Sequence, residues 1–194
     1  MRNRSVLFIK NMVSLRCISD LENILSNLES VKVLNISLGK AEIFYDEEKI
    51  SAEEISAELS RNNFQIISDR NIQLVEQIKN ACIELIYFGN NTNSLIRNSE
   101  YLSERLNLQY SYISKFFSEN TNTTLEKFLI KVKIEKVKEL LSYNEMTLSE
   151  IAYMMGYSSV QYLSNQFRQI TGVSVTEYRH GADIKRIPLE NLLL

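Results

Sequence analysis

The 194-residue sequence holds two cysteines, one histidine, one proline and five glycines, and each shortage removes a class of protein. Cys17 and Cys82 are 65 positions apart, which excludes a disulfide framework and a four-cysteine zinc site. His180 leaves no second imidazole for a His-rich metal centre and argues against a histidine-based triad, so a non-enzyme is expected. No apolar run approaches the roughly eighteen residues of a membrane span. Met1–Lys10 is short and polar for a secretory leader, so a cytoplasmic protein with no membrane partner is expected. A basic excess is missing too. Residues 1–70 carry 9 Lys/Arg against 11 Asp/Glu, and residues 99–181 carry 9 against 9. A nucleic-acid reader usually has a basic footprint, so electrostatics alone carries no such reading here. What is present, 44% hydrophobic and 24% charged residues, suits a globular chain of one or two domains.

The fold class expected is α+β: a ferredoxin-like βαββαβ domain over residues 1–70, an all-α domain over 71–183, and a tail over 184–194. Ser5–Lys10 has strand character. Cys17–Leu28 places Ile18, Leu21, Ile24, Leu25 and Leu28 at helical spacing. Val31–Leu38 and Ala41–Tyr45 form a hairpin around Gly39-Lys40, where glycine supplies a positive φ. Ser51-Ala-Glu-Glu54 is a capping box opening a helix, and Phe64–Ile67 gives a last strand. The order is that of the split βαβ, a four-stranded sheet with two helices on one side.

This segment resembles the heavy-metal-associated domain of copper chaperones and metal-pumping ATPases. The likeness covers Asn11-Met12 after the first strand, a loop ending in Cys17, Gly39–Asp46, Ile50–Ile55 and Asn63-Phe64. The family's site is Met-x-Cys-x-x-Cys, whose two soft thiolates suit Cu(I). Here the first cysteine position is Ser14, a poor ligand for a soft ion, and Cys17 is the metal candidate that remains. Two readings stay open: Cys17, beside Arg16 at a helix start, acts in redox or in a metal shared between chains, or the domain has lost metal and serves packing or dimerisation.

Ile72–Phe88 is an apolar helix that must bury more than one side, with Cys82 as a small buried hydrophobe. Gly89–Asn93 breaks it. Beyond lies a repeat. Thr147-Leu-Ser-Glu150 caps a helix over Leu148–Met155, Gly156 turns the chain, and Val160–Ile170 forms a second helix with Leu163 and Phe167 inward. Two steeply crossed helices need a small residue at their contact and one that tolerates left-handed geometry in the turn, met by Ala152 and Gly156. Tyr101–Asn107 and Tyr112–Glu119 repeat the pattern, with Ser103, Asn107, Ile113 and Phe117 in the matching places. The offset is 49 before the turn and 50 after it. Leu125–Tyr143 joins the copies; nineteen residues of helix span roughly 28 Å, close to the ~34 Å of a duplex turn. Its Lys131, Lys133, Lys136 and Lys138 either face DNA or pair with Glu126, Glu135 and Glu139.

The stretch Ile151–Arg179 resembles the AraC/XylS family of transcription regulators nearly position by position, with Val175 where that family prefers proline. The resemblance extends over about residues 74–180. It implies sequence-specific binding of double-stranded DNA by two recognition helices. Residues expected to face DNA in the second unit are Ser158, Ser159, Val160, Gln161, Ser164, Asn165 and Arg168. In the first unit they are Ser111, Tyr112, Ser114 and Lys115, with Tyr112 either reaching DNA or packing flat on the protein. Gln161 and Asn165 suit adenine edges, and Arg168 a phosphate or guanine. With so few cations, affinity should depend on salt or on a homodimer, formed through the N-terminal sheet, the Ile72–Phe88 helix or both. The tail leucines either dock on a neighbouring surface or fray. Competing readings are a soft-metal chaperone or scavenger whose helical half only dimerises, and a scaffold that binds neither metal nor DNA.

Overall fold

The computed structural model describes residues 2–89 and 98–192, and the chain divides into two compact units, Met1–Asn80 and Ala81–Leu194. The first unit begins β1 (Arg2–Lys10), α1 (Leu15–Ser26), β2 (Val31–Ser37), β3 (Lys40–Asp46), α2 (Ala52–Arg61) and β4 (Gln65–Ile66). The strands form one antiparallel sheet in the order β2-β3-β1-β4. Register sets the core: Leu7 lies opposite Ala41, Ser5 opposite Ile43 and Val33 opposite Ile43, so alternate residues share a face. From that face Ile9, Ala41 and Ile43 meet Leu21 and Leu25 of α1 and Ile55 and Leu59 of α2 in one core.

Local chemistry moves some boundaries. Helix α1 starts at Leu15, two residues before the expected start, because Ser14 is its N-cap and accepts the Cys17 N–H at 3.4 Å. Strand β4 has two residues where Phe64–Ile67 was expected. Asn63 is left-handed, with φ 65°, and the Phe64 N–H turns back to the Leu59 carbonyl, which delays sheet pairing. The hairpin glycine behaves as expected: Gly39 has φ 74°.

Asp69 caps α3 (Arg70–Ile83) by accepting the N–H groups of Asn71 and Ile72 at 2.8 and 3.0 Å. The chain continues from α3 through a π-helical turn, Glu84–Phe88, which the apolar pattern did not announce. Cys82 is buried as expected, and burial pushes its thiol pKa up. On α3, Glu76, Lys79 and Asn80 are also buried; Lys79 donates to both Glu76 oxygens, and the Asn11 N–H donates to Oε1. Gly89 ends the π turn by donating to the Glu84 carbonyl, while the rest of the expected break, residues 90–93, lies outside the described residues.

The second unit carries α4 (Asn98–Leu106), α5 (Tyr110–Asn120), α6 (Leu125–Tyr143), α7 (Leu148–Met154), α8 (Val160–Thr171) and α9 (Val175–Arg179). Capping boxes open α7 at Thr147 and α9 at Ser174, and Thr124 caps α6. Its core joins Ile134, Val137 and Leu141 of α6 to Ile151, Ala152, Leu163, Phe167 and Val175. Among the described residues no helix is long and apolar enough to cross a membrane.

Replacing Gly39 by alanine tests the hairpin. A Cβ there would lie 2.1 Å from Asn80 Nδ2 on a left-handed backbone. Gly39→Ala should cost at least about 1 kcal/mol of unfolding free energy in a denaturant titration; an unchanged midpoint would show that the turn tolerates a side chain.

Candidate nucleic-acid interface

The two helix pairs α4–α5 and α7–α8 are built by the same devices. In the first, Asn107 has φ 53° and the Leu108 N–H reaches back to the Ser103 carbonyl at 3.2 Å. In the second, Gly156 has φ 68° and the Tyr157 N–H reaches the Ala152 carbonyl at 2.9 Å. Each α4-type helix thus ends on a left-handed residue that satisfies its last carbonyls. The likeness runs further than the helices. Thr121 Oγ1 donates to the Phe117 carbonyl at 2.7 Å, as Thr171 Oγ1 does to that of Phe167 at 2.8 Å. The Phe117–Phe128 and Phe167–Tyr178 ring centroids are each 5.4 Å apart.

Burial of Leu163 and Phe167 fixes the rotation of α8, leaving Gln161, Asn165 and Arg168 exposed and Ser164 half-buried. At about 100° per residue these four lie on one face. Gln161 Nε2 donates to Asn165 Oδ1 at 2.9 Å. That leaves the Gln161 oxygen as acceptor and the Asn165 nitrogen as donor, the pair an adenine edge requires. Ser159 is the N-cap and accepts the Tyr162 N–H at 3.1 Å; Ser158 is exposed, and Val160 packs partly against the core. On α5, burial of Ile113 and Phe117 leaves Ser111, Tyr112 and Lys115 exposed and Ser114 half-buried. Lys115 lies 3.8 Å from Glu119, and Tyr112 is 49% exposed while its ring lies 5.8 Å from that of Phe116.

Tyr162 was absent from the expected set. It stands 50 residues after Tyr112, is 54% exposed, and its ring meets that of Tyr157 edge-on at 5.8 Å. The offset that aligned the two second helices also aligns these tyrosines.

An open cleft of about 380 Å³ separates the two helix pairs, lined by Tyr110, Glu126, Lys133, Tyr157, Tyr162 and Gln166 among others. Tyr157 donates to Gln166 Oε1 at 2.6 Å, and Lys133 donates to the Met155 carbonyl at 3.1 Å with its ammonium 5.5 Å from the Tyr157 ring centre. Burial raises the Tyr110 and Tyr157 phenols, so both stay protonated donors at neutral pH, and lowers Lys133. Tyr162 and Gln166 lie about 100° to one side of the Gln161–Asn165 face, and Tyr110 about 100° to the other side of the Ser111–Lys115 face.

Three other α6 lysines, Lys131, Lys136 and Lys138, serve the protein itself. Lys138 pairs with Glu135 at 2.6 Å, both about 3% exposed, and Lys136 pairs with Glu139 at 2.6 Å. Lys131 donates to the Leu192 carbonyl at 3.3 Å. Their contacts favour pairing over a cationic DNA-facing patch. The tail completes this ladder: the Ile187 N–H donates to Glu135, Arg186 pairs with Glu139 at 2.6 Å, and Leu192 is buried. The tail therefore docks on its own chain as far as Leu192; Leu193 and Leu194 lie outside the described residues.

In the first unit, Cys17 is half-buried with Sγ 3.2 Å from Ser14 Oγ, while Met12 is fully buried in the core. The Ser14 hydroxyl is engaged as a helix cap. One thiol, a capping hydroxyl and a core methionine do not supply the two-thiolate set that Cu(I) prefers, and among the described residues no three His, Cys, Asp or Glu side chains gather.

Comparison with known proteins bears on the helical half. A family described as helix-turn-helix domain matches residues 102–181. The raffinose operon transcriptional regulatory protein RafR of Pediococcus pentosaceus is 34% identical over 83 residues, covering 43% of this chain and 30% of that protein. The Msm operon regulatory protein of Streptococcus mutans is 27% identical over 78 residues, 40% of this chain and 28% of that protein. The HTH-type transcriptional activator RhaS of Escherichia coli is 26% identical over 86 residues, 44% and 31%. The chain thus spans less than a third of the length of these relatives. The solved C-terminal domain of AraT, a response regulator from Geobacillus stearothermophilus, is 27% identical, with a TM-score of 0.47 over 60% of this chain and 92% of that one. These likenesses give the chaperone or scavenger reading no support.

Removing one member of the Glu135–Lys138 pair leaves a buried charge alone. Lys138→Met should cost about 3–5 kcal/mol in chemical denaturation, with Glu135→Leu added in the same chain recovering part of the loss. A single variant as stable as wild type would contradict the burial.

Proposed function

We propose that this chain is a sequence-specific DNA-binding transcription regulator of the AraC/XylS type, acting without catalysis in the cytoplasm. The observation that carries the reading is the duplicated helix pair, each copy of which leaves a polar helix face exposed. The match of residues 102–181 to a helix-turn-helix family and the likeness to operon regulators support it. In this reading residues 71–183 form the DNA-binding domain, with α5 and α8 entering successive major grooves. Gln161, Asn165 and Arg168 supply the base contacts of the second half-site, and Ser111, Tyr112 and Lys115 those of the first. Ser158 and Ser159 hold phosphate at the start of α8.

Residues 1–70 form, in the same reading, a ferredoxin-like domain of heavy-metal-associated type whose metal site is degenerate at Ser14. The sheet order β2-β3-β1-β4 and the antiparallel pairing support that fold. The chain acts as a homodimer, for which exposed Val6 and Leu34 on the first unit offer apolar surface. Pairing offsets the shortage of cations, since two linked readers gain affinity without new phosphate contacts.

Selection from randomised duplex DNA at two salt concentrations tests the regulator reading. Wild type should enrich one sequence, and Asn165→Ala combined with Arg168→Ala should lose that enrichment, each lost base contact being worth about 1–3 kcal/mol of discrimination. Absence of any enriched sequence at low salt overturns the reading.

A further inference from the structure

We propose that the cleft between the two helix pairs seats the sugar–phosphate backbone of the duplex where it passes from one major groove to the next. Lys133 and the hydroxyls of Tyr110 and Tyr162 donate to its phosphate oxygens. The inference rests on the regulator reading above and adds a contact region away from the two polar helix faces. Helices placed in neighbouring major grooves straddle the intervening backbone, so the strand must cross the surface that separates them. In this molecule that surface is the cleft, with one wall from α8 and the other from the start of α5.

Its lining suits an anion. Lys136 and Lys138 are neutralised by Glu139 and Glu135, and Lys131 is turned toward the tail, which leaves Lys133 as the α6 lysine lining the cleft. Lys133 spends one N–H on the Met155 carbonyl and keeps two for a ligand. A phosphate beside it supplies the counter-charge that burial withholds. Tyr110 and Tyr162 present phenolic hydroxyls from the two walls, whereas the Tyr157 hydroxyl is committed to Gln166. These donors recognise phosphate irrespective of sequence, so they set affinity and register and leave base choice to the helix faces.

Glu126 carries the one negative charge among the described lining residues, and it is exposed. It gives the proposal a second consequence of opposite sign. Removing Lys133 should weaken duplex binding and removing the Glu126 charge should strengthen it, with sequence preference unchanged in both.

The test uses the full chain with two duplexes of equal length, the operator recovered by selection and an unrelated sequence, titrated across a range of salt. Lys133→Met should weaken both complexes several-fold and lower the slope of log affinity against log salt by about one. Tyr162→Phe should weaken both, and Glu126→Gln should tighten both, with the ratio between the two duplexes as in wild type. Should Lys133→Met lower the melting temperature, Tyr162→Phe and Glu126→Gln carry the test, because both positions are exposed. Affinities and salt slopes equal to wild type in these variants, or a changed ratio between the duplexes, overturn the backbone seat while operator selection by wild type leaves the regulator reading standing. If wild type selects no sequence but Lys133→Met and Glu126→Gln still move duplex affinity in opposite directions, the regulator reading fails and the seat stands.

Discussion

Each of the two exposed helices in the second unit is held by a fully buried phenylalanine, Phe117 in α5 and Phe167 in α8, whose ring meets an aromatic partner eleven residues further along. A buried phenylalanine is worth about 3–5 kcal/mol against alanine, enough to fix how a short helix is rotated about its axis. That rotation decides which side chains are left outside. With Phe117 and Phe167 inward, Lys115 and Asn165 have to be outward, because residues two apart on a helix lie about 160° from each other around its axis. The polar faces are thus a by-product of core packing, and their chemistry is free to vary without loss of fold.

The helix α6 serves both halves of this arrangement. Phe128 near its start packs on the Phe117 ring of the first copy, while Ile134, Val137 and Leu141 belong to the core of the second. Interleaved with the latter, the buried Glu135–Lys138 pair takes the tail backbone, so the chain beyond α9 is tied to the same helix. In the first unit, by contrast, the sheet and its two helices close their own core, and the Ser14 hydroxyl serves as the cap of α1.

Where local chemistry dictates structure, the sequence was legible. The capping boxes at Ser51 and Thr147, the left-handed positions Gly39, Asn107 and Gly156, and the bounds of Leu125–Tyr143 all follow from residue type and spacing. The departures have a common cause. Lysine and glutamate three apart on a helix read as a solvated pair, and nothing in the pattern says that a distant tail will cover Glu135 and Lys138. Nor does helical periodicity announce the π turn at Glu84–Phe88, which depends on a single extra residue per turn. Tyr162 could have been found by carrying the 50-residue offset one position further. The cleft could not, because its walls come from segments that meet only in the folded chain.

The two copies follow one another along the chain and expose different side chains, Ser111 and Lys115 from α5 against Gln161 and Asn165 from α8. Under the proposed function, a duplex held by both faces of one chain acquires polarity, like a word that cannot be read backwards, because the two faces differ in chemistry. Inverting that duplex offers the lysine-bearing helix the letters meant for the amide-bearing one. In that reading, orientation on the duplex is encoded in a single polypeptide, before any second copy contributes.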